Sequence, residues 1–161
     1  MKILFVCLGN ICRSPLAEGI LKDKLYRHSI VAEVDSAGFE SFHVGDGADP
    51  RSKEIARKYG ISLDSHVARK FTTRDFDHFD RIFVMDRYNH QDVMRLARHE
   101  ADRAKVDYIL NLSFPGENRE VPDPYYGGRD GFERVYRMLD SACDILLEEV
   151  KPHRKTDKNR P

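Results

Sequence analysis

The apolar residues of the chain are grouped in short runs that are separated by longer amphipathic stretches. Residues 3–6 form a continuous apolar run with branched and aromatic side chains, which predicts a strand buried on both faces. Residues 31–36, 81–85 and 106–110 predict three further strands, and the first of these three ends at Gly38. Residues 111–128 are rich in Pro and Gly and predict an irregular segment.

Apolar positions at helical spacing fill the intervals between these runs. Pro15 suits the first turn of a helix with Ser14 as its N-cap, and a second helix begins at Asp49 and Pro50 and ends at Gly60. A third helix is predicted through residues 93–97 and a last one over residues 129–149. The last helix has one apolar face, on which Cys143 is interpreted as a core residue.

Strands that alternate with helices are typical of an α/β fold with a parallel sheet. The sequence therefore predicts a single domain over residues 1–150. Its architecture is a three-layer sandwich, in which a four-stranded parallel sheet carries helices on both faces. Residues 151–161 are basic and lack apolar side chains, so they predict a disordered tail.

Composition narrows the function classes. The 161 residues include 27 basic and 27 acidic side chains, and this balance argues against a general nucleic-acid binder. Three cysteines provide no disulfide framework, which favours a reducing cytoplasm and leaves non-classical release open. No stretch approaches the roughly 20 apolar residues of a membrane helix, and the first apolar run is too short for a signal peptide. Neither nucleic acid nor membrane is an expected partner.

Candidate chemistry is concentrated between the first strand and the first helix, in the segment CLGNICRS at residues 7–14. Ligands of open α/β sheets bind beyond the carboxyl ends of strands. Gly9 and Asn10 are the residue types that tolerate left-handed backbone at the least cost. A tight loop of this kind that closes on a helix N-terminus turns several amide N–H groups toward one point and predicts an anion site.

The same loop carries a candidate nucleophile. A thiol at a helix N-terminus beside an arginine is expected to ionise more readily than a free thiol, whose pKa is about 8.5. The Cys7 thiolate would then attack a phosphate that Arg13 holds as a two-pronged fork, while the Ser14 hydroxyl donates to the sulfur. A single cysteine after an apolar strand is commonly a buried core residue. Here five residues separate Cys7 from Arg13, Ser14 follows, and the next helix has a proline in its first turn. This combination favours catalysis.

Phosphate ester cleavage also requires a proton for the leaving oxygen. Asp123 lies between Pro122 and Pro124 in a loop rich in Pro and Gly, and it is the candidate acid. A group of this kind contributes roughly 10²–10⁴ in rate and can later activate water. Asp-Pro alone is also a common start of a turn.

Together these two segments resemble the low-molecular-weight protein-tyrosine phosphatases, and the resemblance extends from Met1 to about Val150. It rests on CLGNICRSPLAE at residues 7–18 and DPYYG at residues 123–127, with support from residues 44–51, 65–69 and 83–89. The resemblance implies hydrolysis of phosphotyrosine and aryl phosphates through a phosphocysteine at Cys7. Arg13 would bind the phosphoryl group and Asp123 would be acid and then base, without cofactor or metal.

The resemblance also assigns supporting roles. The phosphate-binding loop would comprise Leu8, Gly9, Asn10, Ile11, Cys12 and Ser14, with Ser36 and His66 as a hydrogen-bond network behind Asn10. Phe42, Tyr125 and Tyr126 would wall a pocket too deep for phosphoserine. Cys12 would form a protective disulfide with oxidised Cys7, or else simply pack in the loop. Asp86 matches an acidic position of the family whose role stays open.

Three other functions compete. Arsenate reductases of this fold need additional cysteines after the third strand, and residues 80–100 contain none. Related protein-arginine phosphatases carry threonine where this chain has Ile11, so Ile11 favours phosphotyrosine. A catalytically silent phosphate-binding module would lack Cys7 or Asp123. The expected partner is a phosphotyrosine-containing protein, for which a bacterial tyrosine kinase is one candidate.

Overall fold

A computed structural model describes residues 1–125 and 127–152 of the chain. In these residues one parallel sheet is formed by β1 (Lys2–Val6), β2 (Glu33–Ala37), β3 (Arg81–Val84) and β4 (Val106–Tyr108), in the order β2-β1-β3-β4. The predicted four-stranded parallel sheet is confirmed. The fourth strand is shorter than predicted, because its pairing with β3 ends at Tyr108 and the backbone then closes a 3₁₀ turn over Ile109–Asn111.

Six helices are present in the described residues: α1 (Arg13–Arg27), α2 (Pro50–Lys58), α3 (Arg74–His78), α4 (Arg87–Leu96), α5 (Glu100–Arg103) and α6 (Arg129–Val150). The helices α3 and α5 were not predicted, because five and four residues are too few to show a helical period. No helix of residues 1–125 and 127–152 is both long and apolar enough to cross a bilayer.

Successive side chains of β1 point to opposite faces of the sheet, and both faces are covered by the hydrophobic core. Ile3 and Phe5 contribute to one apolar cluster, formed with α1, α2 and α6, while Leu4 and Val6 contribute to a second one beneath α3 and α4. All four side chains are fully buried. This burial explains the continuous apolar run and confirms the three-layer arrangement. Cys143 is fully buried in the first cluster, as predicted.

The two predicted helix starts have different outcomes. The Asp49 side chain accepts from Arg51 N at 2.8 Å and caps α2, as expected for Asp before Pro. The prediction of Ser14 as the N-cap of α1 is wrong, because α1 begins at Arg13 after Cys12. The Ser14 hydroxyl is turned toward the preceding loop instead. The predicted tail lies, from residue 153 onward, outside the described residues.

Candidate active site

The phosphate loop, residues 7–14, leaves the carboxyl end of β1 and runs into the first turn of α1. Asn10 has the left-handed conformation, with φ of 55°, whereas Gly9 does not. The loop passes so close to Gly38 that a Cβ there would lie 2.8 Å from both Asn10 N and Leu8 O. A glycine after β2 is therefore required for the loop to fold against the sheet.

The Asn10 side chain is fully buried and uses both of its polar atoms. Its Nδ2 donates to Ser14 Oγ at 2.8 Å and to Ser36 Oγ at 2.9 Å, and its Oδ1 accepts from Arg69 N at 3.0 Å. His66 Nε2 donates to the Asn10 carbonyl oxygen at 2.6 Å. The structure thus brings Ser36 and His66 to Asn10, and these bonds hold the loop in one conformation before any ligand binds.

Cys7 lies at the bottom of the loop with only 2% of its surface exposed. Its Sγ is 2.9 Å from Ser14 Oγ. Because Asn10 Nδ2 already donates to Ser14 Oγ, the hydroxyl proton of Ser14 is free to point at the sulfur. This arrangement stabilises a negative sulfur in place.

Arg13 is 2% exposed and lies beside Cys7. Its Nη1 donates to Asp86 Oδ2 at 2.7 Å and to Val121 O at 2.9 Å. Burial lowers the pKa of Arg13, but the charges of Cys7 and Asp86 outweigh it and raise that pKa above its ordinary value. The role of Asp86, which the sequence left open, is to hold the guanidinium in position.

Asp123 belongs to the acid loop, residues 121–125, which faces the phosphate loop across the cavity. Its side chain is 36% exposed, and its Oδ2 lies 3.7 Å from Arg13 Nη2. Its Oδ1 accepts from Tyr125 N at 3.0 Å. A partly exposed carboxyl at this place can reach both solvent water and the leaving oxygen of a bound ester.

The two loops, together with the segment that follows β2, enclose a cavity of about 220 Å³. Its wall is formed by Cys7, Leu8, Gly9, Ile11, Cys12, Arg13, Glu40, Phe42, His43, Asp123 and Tyr125. Of the three aromatic residues predicted as walls, Phe42 and Tyr125 line the cavity, and Tyr126 lies outside the described residues. The wall therefore joins a basic floor to an aromatic mouth.

Sequence reasoning missed two residues of this mouth. Glu40 and His43 line the cavity beside Phe42, and the His43 ring lies edge-on to the Phe42 ring with centroids 4.9 Å apart. Their signal was present, since they follow β2 closely and the carboxyl ends of parallel strands meet at one edge of the sheet. We call Glu40, Phe42, His43 and Tyr125 the rim.

Cys12 is 6% exposed within the phosphate loop. Burial, and then the neighbouring charge of Asp49, raises the pKa of Cys12 well above that of a free thiol. Cys12 is therefore a neutral thiol next to Cys7. Among residues 1–125 and 127–152, no group of three or more His, Cys, Asp or Glu side chains is arranged to hold a metal ion.

A parallel α/β sheet with a cysteine and an arginine in an anion-binding loop, opposed by a carboxyl, defines the class of cysteine-dependent phosphatases. The family model described as low molecular weight phosphotyrosine protein phosphatase matches residues 2–156. The chain belongs to this family, so the predicted hydrolase class and tyrosine-phosphatase function are confirmed.

Individual relatives show how far the similarity extends. The low molecular weight phosphotyrosine protein phosphatase of Schizosaccharomyces pombe is 43% identical over 153 residues, which are 93% of this chain and 97% of the relative. A protein tyrosine phosphatase of Entamoeba histolytica superposes with a TM-score of 0.86 at 39% identity, covering 93% and 96% of the two chains. A Drosophila arginine phosphatase superposes with 0.87 at 32% identity, covering 96% and 100%.

Proposed function

We propose that the protein hydrolyses phosphotyrosine and other aryl phosphate monoesters through a phosphocysteine on Cys7. The observation that carries this proposal is the contact of Cys7 Sγ with Ser14 Oγ at 2.9 Å, at the floor of a cavity that the buried Arg13 also lines. A sulfur nucleophile and a fixed cation in one cavity suit a phosphate dianion and its pentacoordinate transition state.

In the first half-reaction the Cys7 thiolate attacks phosphorus, so that the S–P bond forms while the bond to the phenolic oxygen breaks. Arg13 holds two equatorial phosphoryl oxygens as a fork. Asp123 gives its carboxyl proton to the departing oxygen, which leaves as a neutral phenol. The products are a phosphocysteine and the dephosphorylated side chain.

In the second half-reaction Asp123 acts in the opposite sense. Its carboxylate takes a proton from water while the water oxygen attacks phosphorus, the S–P bond breaks, and inorganic phosphate leaves. The returning thiolate accepts the Ser14 hydroxyl proton in a hydrogen bond, which makes the sulfur a better leaving group. Both steps use Cys7, Arg13 and Asp123.

The choice of phosphotyrosine over phosphoarginine depends on the cavity wall. Ile11 is 7% exposed and lines the cavity with a branched apolar side chain. Such a side chain packs against a phenyl ring, whereas a guanidinium would lose hydrogen bonds to water there without replacement. We therefore expect a phosphotyrosine peptide to be hydrolysed much faster than a phosphoarginine peptide of the same sequence, and the reverse order would contradict this assignment.

A second role concerns oxidation. Cys7 and Cys12 line the same cavity. We propose that the sulfenic acid formed when peroxide oxidises Cys7 condenses with the Cys12 thiol, giving a disulfide and one water. Mass spectrometry after peroxide treatment should find this bond, and thiol reduction should restore activity.

The expected partner is a phosphotyrosine-containing protein. The three free cysteines of this chain support a reducing cytoplasm as the location of the phosphatase.

The phosphocysteine itself is tested by acid quenching during turnover of p-nitrophenyl phosphate in EDTA. A phosphate adduct on the peptide that contains Cys7 is expected, and Cys7→Ser should form none and lose activity. Turnover by Cys7→Ser would overturn the proposal.

A further inference from the structure

The acid loop is connected to the phosphate loop through one side chain of α2. Arg51 Nη1 donates to the Tyr125 carbonyl oxygen at 2.8 Å, and Tyr125 N donates to Asp123 Oδ1 at 3.0 Å. The Arg51 guanidinium also lies 5.3 Å from the centroid of the Tyr125 ring and 4.7 Å from that of Phe132 in α6. The residue that orients the carboxyl of Asp123 is therefore itself held by Arg51.

The other side of Arg51 is fixed just as closely. Its Nε and Nη2 donate to the two carboxylate oxygens of Asp49, each at 3.0 Å. Asp49 is buried, and its N donates to the Ile11 carbonyl oxygen of the phosphate loop at 2.9 Å. Burial raises the pKa of Asp49, but the hydrogen bonds from Arg51 outweigh it and lower that pKa. Asp49 is therefore held both by Arg51 and by the phosphate loop, and it forms a fixed anchor.

Each of these contacts uses a different nitrogen of the guanidinium. Nε and Nη2 face Asp49, while Nη1 faces the acid loop. A lysine has one nitrogen on a flexible stem and cannot keep both connections in one plane. The geometry requires arginine at this position, 74 residues away from Tyr125 in the sequence.

We propose that Arg51 is a positioning residue for the general acid, which it keeps over the phosphate loop by tying residues 123–125 to Asp49. This inference rests on the proposed role of Asp123 as proton donor. Without Arg51 the acid loop retains its sequence and its carboxyl, but the carboxyl has no fixed distance from the leaving oxygen. A small misplacement of a catalytic group is enough to cost up to about 100-fold in rate.

The test compares Arg51→Ala and Arg51→Lys with wild type on phenyl phosphate and on p-nitrophenyl phosphate. The measured quantity is kcat/KM, which covers the steps through phosphocysteine formation. Nitrophenolate leaves without a proton, so we expect a loss of about 10- to 100-fold on phenyl phosphate and a much smaller loss on p-nitrophenyl phosphate. Arg51→Lys should resemble Arg51→Ala rather than wild type.

Two controls separate positioning from folding. Arg57→Ala removes an exposed arginine of the same helix, paired with Asp64, and should leave both substrates unchanged. In an Asp123→Ala background, Arg51→Ala should add little on phenyl phosphate, because no acid is left to position. The inference would be overturned if Arg51→Ala reduced kcat/KM equally on the two substrates. It would also be overturned if Arg51→Ala caused the same loss on phenyl phosphate in the wild-type and Asp123→Ala backgrounds. If Asp123→Ala showed no leaving-group dependence, the proposed acid itself would be wrong.

Discussion

The floor and the rim of the catalytic cavity differ in how deeply their side chains are buried. On the floor, which the phosphate loop forms, Cys7 and Arg13 are each 2% exposed, and Asn10 and Ser14 behind them are fully buried. On the rim, Phe42 is 84% exposed and Tyr125 is 37% exposed. The phosphate group is the same in every substrate, so its site can be fixed in advance, and preorganised dipoles stabilise the transition state most effectively. The rest of a substrate varies, and an exposed aromatic rim can adapt to it.

Asp123 lies between these two regions, and its substitution is expected to have the largest effect on catalysis. Asp123→Ala should reduce kcat/KM on phenyl phosphate by roughly 10²–10⁴, and by less on p-nitrophenyl phosphate, because a good leaving group needs no proton. Since the side chain is 36% exposed, the melting temperature should change little. Asp130→Ala, an exposed carboxyl in the first turn of α6, serves as the control and should leave both rates unchanged. A similar loss on both substrates would remove Asp123 from its assigned role.

The next effect tests whether the floor is fixed by Asn10. Asn10→Ala removes three side-chain hydrogen bonds and places an alanine at φ of 55°. We expect the free energy of unfolding to fall by about 1–3 kcal/mol for the buried groups left without partners. The left-handed backbone should cost about 1–2 kcal/mol more. Urea unfolding measures the sum, and Asn10→Gly should recover only the backbone part.

Asn118 provides a matched control for the same substitution. It is also left-handed, with φ of 49°, but it is exposed, and within residues 1–125 and 127–152 its hydrogen bonds are made with Asn111. Asn118→Ala should therefore show the backbone cost without the burial cost, and it should not change catalysis. If both alanine variants lost the same stability, the buried network behind the phosphate loop would not be what holds it.

The floor was predictable from sequence because its parts are neighbours along the chain. Cys7, Asn10 and Arg13 fall within seven residues, and the requirement for an anion-binding turn before a helix links them locally. One detail of that segment failed: Ser14 is not the N-cap of α1. Where a helix begins depends on backbone dihedrals, and the hydroxyl was placed by its bonds to Cys7 and Asn10 instead.

The residues that orient the floor and the acid loop were not predictable in this way. Arg13 and Asp86 are 73 residues apart, and Arg51 and Tyr125 are 74 apart. Their contacts exist only because β1, β3 and α2 bring their ends to one edge of the sheet. A sequence pattern shows that Asp86 follows a buried strand, but it does not show which cation the carboxylate meets.

The smallest expected effect belongs to the rim. Phe42→Ala should raise KM for a phosphotyrosine peptide by roughly 2- to 10-fold, the value of one aromatic pair. It should leave kcat nearly unchanged, because a contact with the ring is made equally in ground and transition states. Inhibition by inorganic phosphate, which occupies only the floor, should not change, and Phe42→Tyr should restore KM. If kcat fell while KM and the inhibition by phosphate stayed unchanged, Phe42 would act on the reacting group. The division between a fixed floor and an adaptable rim would then no longer hold.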